Sequence, residues 1–211
     1  MSYETEEQQV EALKAWWDEN GRAVLLGVGL GIFVIAAYNF WQSRKEQSAV
    51  EASDLYSQSV DALRAGDTEK AQALATELSD KHGSALYASY GRLAAARAAI
   101  EGGDIAAAAE HLEWAVKNTD QPDVKVVAQV RLARVKAELG DVAAGLKALP
   151  KNVNEAFTGI VEEVRGDLHL LDGDPAAARN AYLAAQEAGG VVDADALRTK
   201  IDDIAEPANA S

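Results

Sequence analysis

Side chains able to carry covalent or acid–base chemistry are sparse and scattered in this chain, which has three histidines and no cysteine. His82, His111 and His169 fall in different predicted helices and match no HExxH or comparable ligand spacing, so solvated or core positions are expected for them. Glu162-Glu163 and Asp202-Asp203 are adjacent pairs. Neighbours on a helix diverge by about 100° and cannot face one substrate together. Asp172-Gly173-Asp174 lacks the further oxygen ligands of a calcium loop. Gly27, Gly29 and Gly31 lie inside an apolar run and do not form a phosphate loop. The absence of cysteine removes disulfide frameworks, thiolate metal sites, thiol nucleophiles and lipid attachment to an N-terminal Cys, but leaves the compartment open. No catalytic, cofactor or metal site is expected, and the chain does not read as an enzyme.

Composition points the same way. Twenty Lys+Arg against 34 Asp+Glu give a net charge of −14 and a pI near 4.6, which argues against nucleic acid as a ligand because phosphate binding depends on Lys/Arg neutralisation. With 48% hydrophobic residues, 43 alanines and only 6% aromatics among 211 residues, a packed all-α core is expected rather than a β-structure or a disordered chain.

The elements that must position any binding surface begin with Ala23 to Trp41, 19 residues without a charge. At about 1.5 Å per residue this run spans roughly 28 Å, close to the hydrocarbon thickness of a lipid bilayer. Trp16 and Trp17 before it, and Tyr38, Phe40 and Trp41 at its end, are the rings expected at headgroup level. A cleaved signal peptide is disfavoured, because Met1 to Gly21 carries six acids and a single base. Residues 1–22 are expected to form an acidic tail, 23–41 a transmembrane helix and 42–211 a separate domain. Lys14 and Arg22 on one flank balance Arg44 and Lys45 on the other, so charge alone leaves orientation open. Gly27 and Gly31 stand at GxxxG spacing, where a second membrane helix could approach.

Beyond the run one dipeptide recurs: Gly66-Asp67, Gly103-Asp104, Gly140-Asp141 and Gly173-Asp174, spaced by 37, 37 and 33 residues. Glycine accepts the left-handed conformation that ends one helix, and the following aspartate caps the next. A period in the mid-thirties marks a helix-turn-helix solenoid. Four residues after each Asp stands Ala71, Ala108, Gly145 or Ala178, small enough for the second helix to press on the first. This predicts helix pairs at 46–65 with 68–81, 84–102 with 105–118, 122–139 with 142–149, and 154–172 with 175–188. A capping helix from 193 to about 205 would use Leu197, Ile201 and Ile204 as its apolar stripe. The first helix is free to continue from the membrane run, since Gln42 to Leu63 holds neither Gly nor Pro.

The pattern resembles the tetratricopeptide repeat, or TPR. Unit four matches best, with Gly166, Ala178, Tyr182 and Ala185; the second unit keeps Ala108 and Ala115 with Leu112 at the aromatic position, and units one and three depart further. The resemblance implies a curved solenoid lined on its concave side by the first helix of each pair. Its groove positions fall on Tyr56, Val60 and Leu63; on Tyr90, Leu93, Arg97 and Ile100; on Val127, Val130 and Arg134; and on Ile160, Glu163, Asp167 and Leu170. Such a mainly apolar surface, with two arginines in the middle and two acids at one end, suits an extended peptide or partner helix.

A narrower resemblance covers nearly the whole chain. Tyr3-Glu4 and Gln9-Val10-Glu11-Ala12 leading to Asp18-Glu19-Asn20-Gly21-Arg22, with Arg165-Gly166-Asp167 and Asp174 to Arg179 near the end, resemble the YfgM-type ancillary subunits of the bacterial SecYEG translocon. That family implies a single-pass inner-membrane protein with a cytoplasmic N-terminus and a periplasmic TPR domain. It also implies the translocon, a membrane-anchored isomerase-like chaperone and nascent secretory chains as partners. The alternative role it implies is a regulatory scaffold whose cytoplasmic region restrains an envelope-stress response regulator.

Overall fold

The computed structural model describes residues 3–83 and 86–204, so the expected helix start at Ser84 and the end of the cap at Ala205 lie outside the described residues. Within them the chain is all-helical, and it divides into two compact units, residues 1–50 and 51–211.

In the first unit a single helix, α1 (Tyr3–Arg64), continues from the acidic segment through the apolar run and on into the second unit without a break. No Pro occurs in it, and Gly27, Gly29 and Gly31 leave the helix intact. The sequence left the helix free to continue past Gln42, and it does so; helix over the acidic segment is an additional finding. Among the described residues α1 is the one helix long and apolar enough to cross a membrane, with a mean hydropathy of 2.1 over its most apolar stretch. Its large side chains are left exposed, Leu26 at 75% and Phe33 at 68%. A water-soluble helix would bury such a run, so hydrocarbon is the medium that suits it. At the end of the run Lys45 Nζ stands 4.0 Å over the Trp41 ring and Arg44 lies over Phe40, joining charge to ring where a headgroup layer would be.

The second unit begins with the last part of α1 and continues through α2 (Thr68–His82), α3 (Leu86–Glu101), α4 (Ile105–Asn118), α5 (Pro122–Glu138), α6 (Val142–Ala148), α7 (Glu155–Leu171), α8 (Pro175–Ala188) and α9 (Ala194–Asp203). The four Gly-Asp marks stand at the turns between α1 and α2, α3 and α4, α5 and α6, and α7 and α8. Gly66, Gly103, Gly140 and Gly173 have φ of +78°, +81°, +87° and +82°, and a Cβ on any of them would meet open space. Conformation rather than crowding therefore requires glycine there. Each turn closes with the Asp N–H donating five residues back, as from Asp104 to the Ala99 carbonyl at 2.8 Å. Each Asp carboxylate then accepts from the N–H three residues ahead, for example Asp141 from Ala144 at 2.8 Å. A cap of this kind contributes about 1 kcal/mol.

Helices pack on their neighbours in the chain, with α3 and α7 also reaching α5 in the adjoining repeat. Ala71, Ala108 and Ala178 are fully buried, as their position four after each Asp predicts. A Cβ on Gly145 would come 2.6 Å from the Ala133 carbonyl oxygen, which shows how closely short α6 lies on α5. The largest apolar cluster joins Leu93, Leu112, Leu132 and Val135 across α3, α4 and α5; a second surrounds Val161, Val164 and Leu168. Leu197 and Ile201 of α9 close the last repeat against Tyr182, as the predicted stripe requires, with Ile204 partly buried beside them.

Candidate partner-binding groove

The first helices of successive repeats line two adjoining hollows. One, of about 530 Å³, is walled by Tyr56, Val60 and Leu63 of α1, Tyr90, Leu93, Ala94 and Arg97 of α3, and Asp123, Val124, Val127 and Arg131 of α5. The other, of about 260 Å³, lies between Val126, Val127, Val130, Arg131 and Arg134 of α5 and Phe157 and Ile160 of α7. Val127 and Arg131 belong to both. Repeat spacing thus brings together most of the positions that the TPR resemblance implies. Tyr56 stacks at a tilt on Tyr87 and Tyr90, with centroids 5.6 and 6.3 Å apart, and Tyr90 remains 38% exposed. Leu93 and Val130 are nearly covered and serve the core as well as the wall.

Other positions fall elsewhere. Ile100 and Leu170 are exposed outside both hollows. Glu163 and Asp167, expected at one end of an open groove, are engaged by the capping helix: Lys200 Nζ stands 2.9 Å from Glu163 Oε1 and 2.7 Å from Asp167 Oδ1. The Tyr182 hydroxyl donates to Asp167 at 2.8 Å. Burial works against the Lys200 charge, but the bonds to Asp167 and Glu163 outweigh it and raise the Lys200 pKa; burial and then Asp167 raise that of the phenol. These acids lock the end of the solenoid.

The sequence-based projection missed Arg131, although Val127, Arg131 and Arg134 follow helical spacing along one face of α5. Arg131 is exposed as a residue, yet partial burial of its guanidinium, followed by the neighbouring charges of Arg97 and Arg134, lowers its pKa from the usual arginine value. Arg131 thus stands where the hollows meet, with Arg97 lining the larger one and Arg134 the smaller. Arg97 has a carboxylate partner in Glu101 at 2.7 Å, while Arg131 and Arg134 have no ion pair within 4.0 Å among the described residues.

The histidines stand apart from one another and from the groove. His82 faces Glu51 at 3.6 Å. His111 joins a polar cluster in which Arg92 donates to Ser79 Oγ at 2.9 Å, reaches His111 Nδ1 at 2.9 Å, and lies over the Trp114 ring. Arginine can only donate, so Nδ1 must accept and the proton sits on Nε2, directed at Gln72 Oε1 3.4 Å away. Among the described residues no three His, Asp or Glu side chains gather as a metal site. In the apolar run, a Cβ on Gly27 or Gly31 would meet nothing, so that helix face is open.

The model for the tetratricopeptide repeat-like domain family matches residues 14–206, so it takes in the apolar run as well as the repeats. A protein of Escherichia coli named ancillary SecYEG translocon subunit is 33% identical over 185 residues, covering 86% of this chain and 87% of that protein. This chain belongs to the ancillary SecYEG translocon subunit family. Ancillary SecYEG translocon subunits of Haemophilus influenzae, 25% identical over 97% of this chain and all of the relative, and of Aggregatibacter actinomycetemcomitans, 26% identical over 94% and 97%, share the same span. No solved structure matches the chain. Near-complete coverage in these ancillary subunits places the apolar run and all four repeats within one family architecture.

Proposed function

We propose that this protein is a membrane-anchored, non-enzymatic adaptor of the SecYEG translocon that contacts polypeptides through the groove of its TPR-like domain and helps pass emerging secretory proteins to a membrane-anchored, isomerase-like periplasmic chaperone. The observation that carries the groove assignment is the pair of open hollows lined by α1, α3, α5 and α7, with exposed Tyr90 on the wall of the larger one. Family membership and an apolar helix with no protein cover support the membrane setting. In this arrangement residues 1–22 are cytoplasmic, residues 23–41 span the inner membrane once, and the repeats lie in the periplasm. Anchoring beside a channel raises the local concentration of the groove, so that weak individual contacts become effective.

Two measurements test this. Protease added to intact spheroplasts should digest the repeats; full protection would reverse the orientation and favour the cytoplasmic regulatory scaffold. The double variant Tyr90→Ala with Arg134→Glu should reduce crosslinking of the full-length protein to the chaperone or to nascent chains several-fold, with helicity unchanged, since both positions are at the groove surface and outside the turns. Undiminished crosslinking would refute the groove as the contact surface.

A further inference from the structure

We propose that the groove selects an extended polypeptide segment of the pattern apolar-x-acidic-x-apolar, its carboxylate on Arg131 and one apolar side chain in each hollow. This rests on the groove reading above and names the chemistry of its occupant. Three observations converge on it. Arg131 lines both hollows and so stands at their junction, with Arg97 in the larger and Arg134 in the smaller. Neither Arg131 nor Arg134 has a carboxylate within ion-pairing distance among the described residues, in a chain with 14 more acids than bases. The walls on either side are apolar and aromatic: Tyr56, Tyr90 and Leu93 on one side, Phe157 and Ile160 on the other.

The physical consequence is a site that gains from an incoming anion. Burial, and then the like charges of Arg97 and Arg134, depress the Arg131 pKa, and a carboxylate over the junction offsets both. Asp123 on the rim of the larger hollow is the one wall carboxylate, which confines the anion to the Arg131 and Arg134 side. Residues i, i+2 and i+4 of an extended segment face the same way, so an acid flanked at that spacing by two apolar residues presents all three groups to the groove at once. Arginine also offers a planar fork to a carboxylate. A bilayer surface supplies anions as well, but it cannot fill two recessed hollows.

The test uses the full-length protein in mild detergent and three fluorescent heptapeptide probes, Ser-Phe-Ser-Glu-Ser-Leu-Ser and its counterparts with Gln or Lys in place of Glu. The Glu probe should bind about tenfold more tightly than the Gln probe, as a charge-assisted hydrogen bond implies. Arg131→Gln should abolish that preference, and Arg131→Glu should transfer it to the Lys probe. Equal affinity for all three probes would overturn the carboxylate assignment. A photoreactive amino acid placed at Tyr90 separates this failure from failure of the groove: equal probe affinities with persistent crosslinks to nascent chains would leave the groove as a contact surface. Vesicles rich in anionic lipid are the third arm, and binding to them that is lost in Arg131→Gln, without discrimination among the probes, would overturn the proposal in favour of a lipid site.

Discussion

Gly166→Ala is expected to destabilise the full-length protein in detergent by about 2 kcal/mol, although alanine is the better helix former. A Cβ at Gly166 would run into the Tyr182 ring. That ring is 1% exposed, packs with Ala178, Ala185 and Leu197, and ends in the hydroxyl bond to Asp167. Helix propensity favours Ala over Gly by about 1 kcal/mol. Overpacking costs about 1–3 kcal/mol, and loss of the hydroxyl bond about 1 more, so the clash wins. Thermal unfolding followed by circular dichroism should show a midpoint lower by roughly 5 °C. Combining Gly166→Ala with Tyr182→Leu should shrink the glycine penalty, because the shorter side chain yields the space. A raised midpoint for Gly166→Ala alone would mean that the close approach of α7 and α8 is not fixed by this ring.

A second large effect is expected from pH. Burial, and then the charge of Arg92, lower the His111 pKa from its ordinary 6.5 to about 4. Above pH 6.5 the imidazole is neutral in folded and unfolded chains alike, and its titration contributes nothing to the balance. As pH falls from 6.5 towards 4 the unfolded chain takes up a proton that the folded chain refuses, so stability is lost across that window and the loss is complete below it. Allowing for solvent screening, the loss is about 2 kcal/mol. Denaturant unfolding at pH 7, 5.5 and 4 should show it as a steeper decline in wild type than in His111→Gln, whose amide can accept from Arg92 but takes up no proton. Parallel declines would show that His111 remains free to protonate within the fold.

The repeat frame was legible because each turn is written locally. A left-handed glycine and an aspartate cap need only adjacent residues, and the small residue four places on is set by the same turn. The lock at the end of the solenoid was not legible. Glu163 and Asp167 occupy neighbouring turns of α7, but the lysine that engages them lies 37 and 33 residues further on and arrives only when α9 docks. Arg92 was likewise passed over, since its partners Thr76, Ser79 and His111 come from two other helices. Arg131 is a different case. Helical spacing alone could have found it next to Val127 and Arg134, but the repeat pattern assigns Val130 to the groove first, and the structure shows that Val130 divides its surface between the smaller hollow and the core.

The seams between helices carry one more consequence. Ala71, Ala75, Ala98, Ala108, Ala128 and Ala133 are all fully covered, and alanine has no rotamers to give up on ordering. Such a seam condenses at little side-chain entropic cost but interlocks shallowly, since a methyl group fills no deep hole on the opposing helix. The alignment of the two helices within each repeat is therefore set chiefly by the rigid Gly-Asp turns, leaving wide latitude in the remaining letters of each repeat. Sequence drift without loss of shape is the natural outcome of that division of labour.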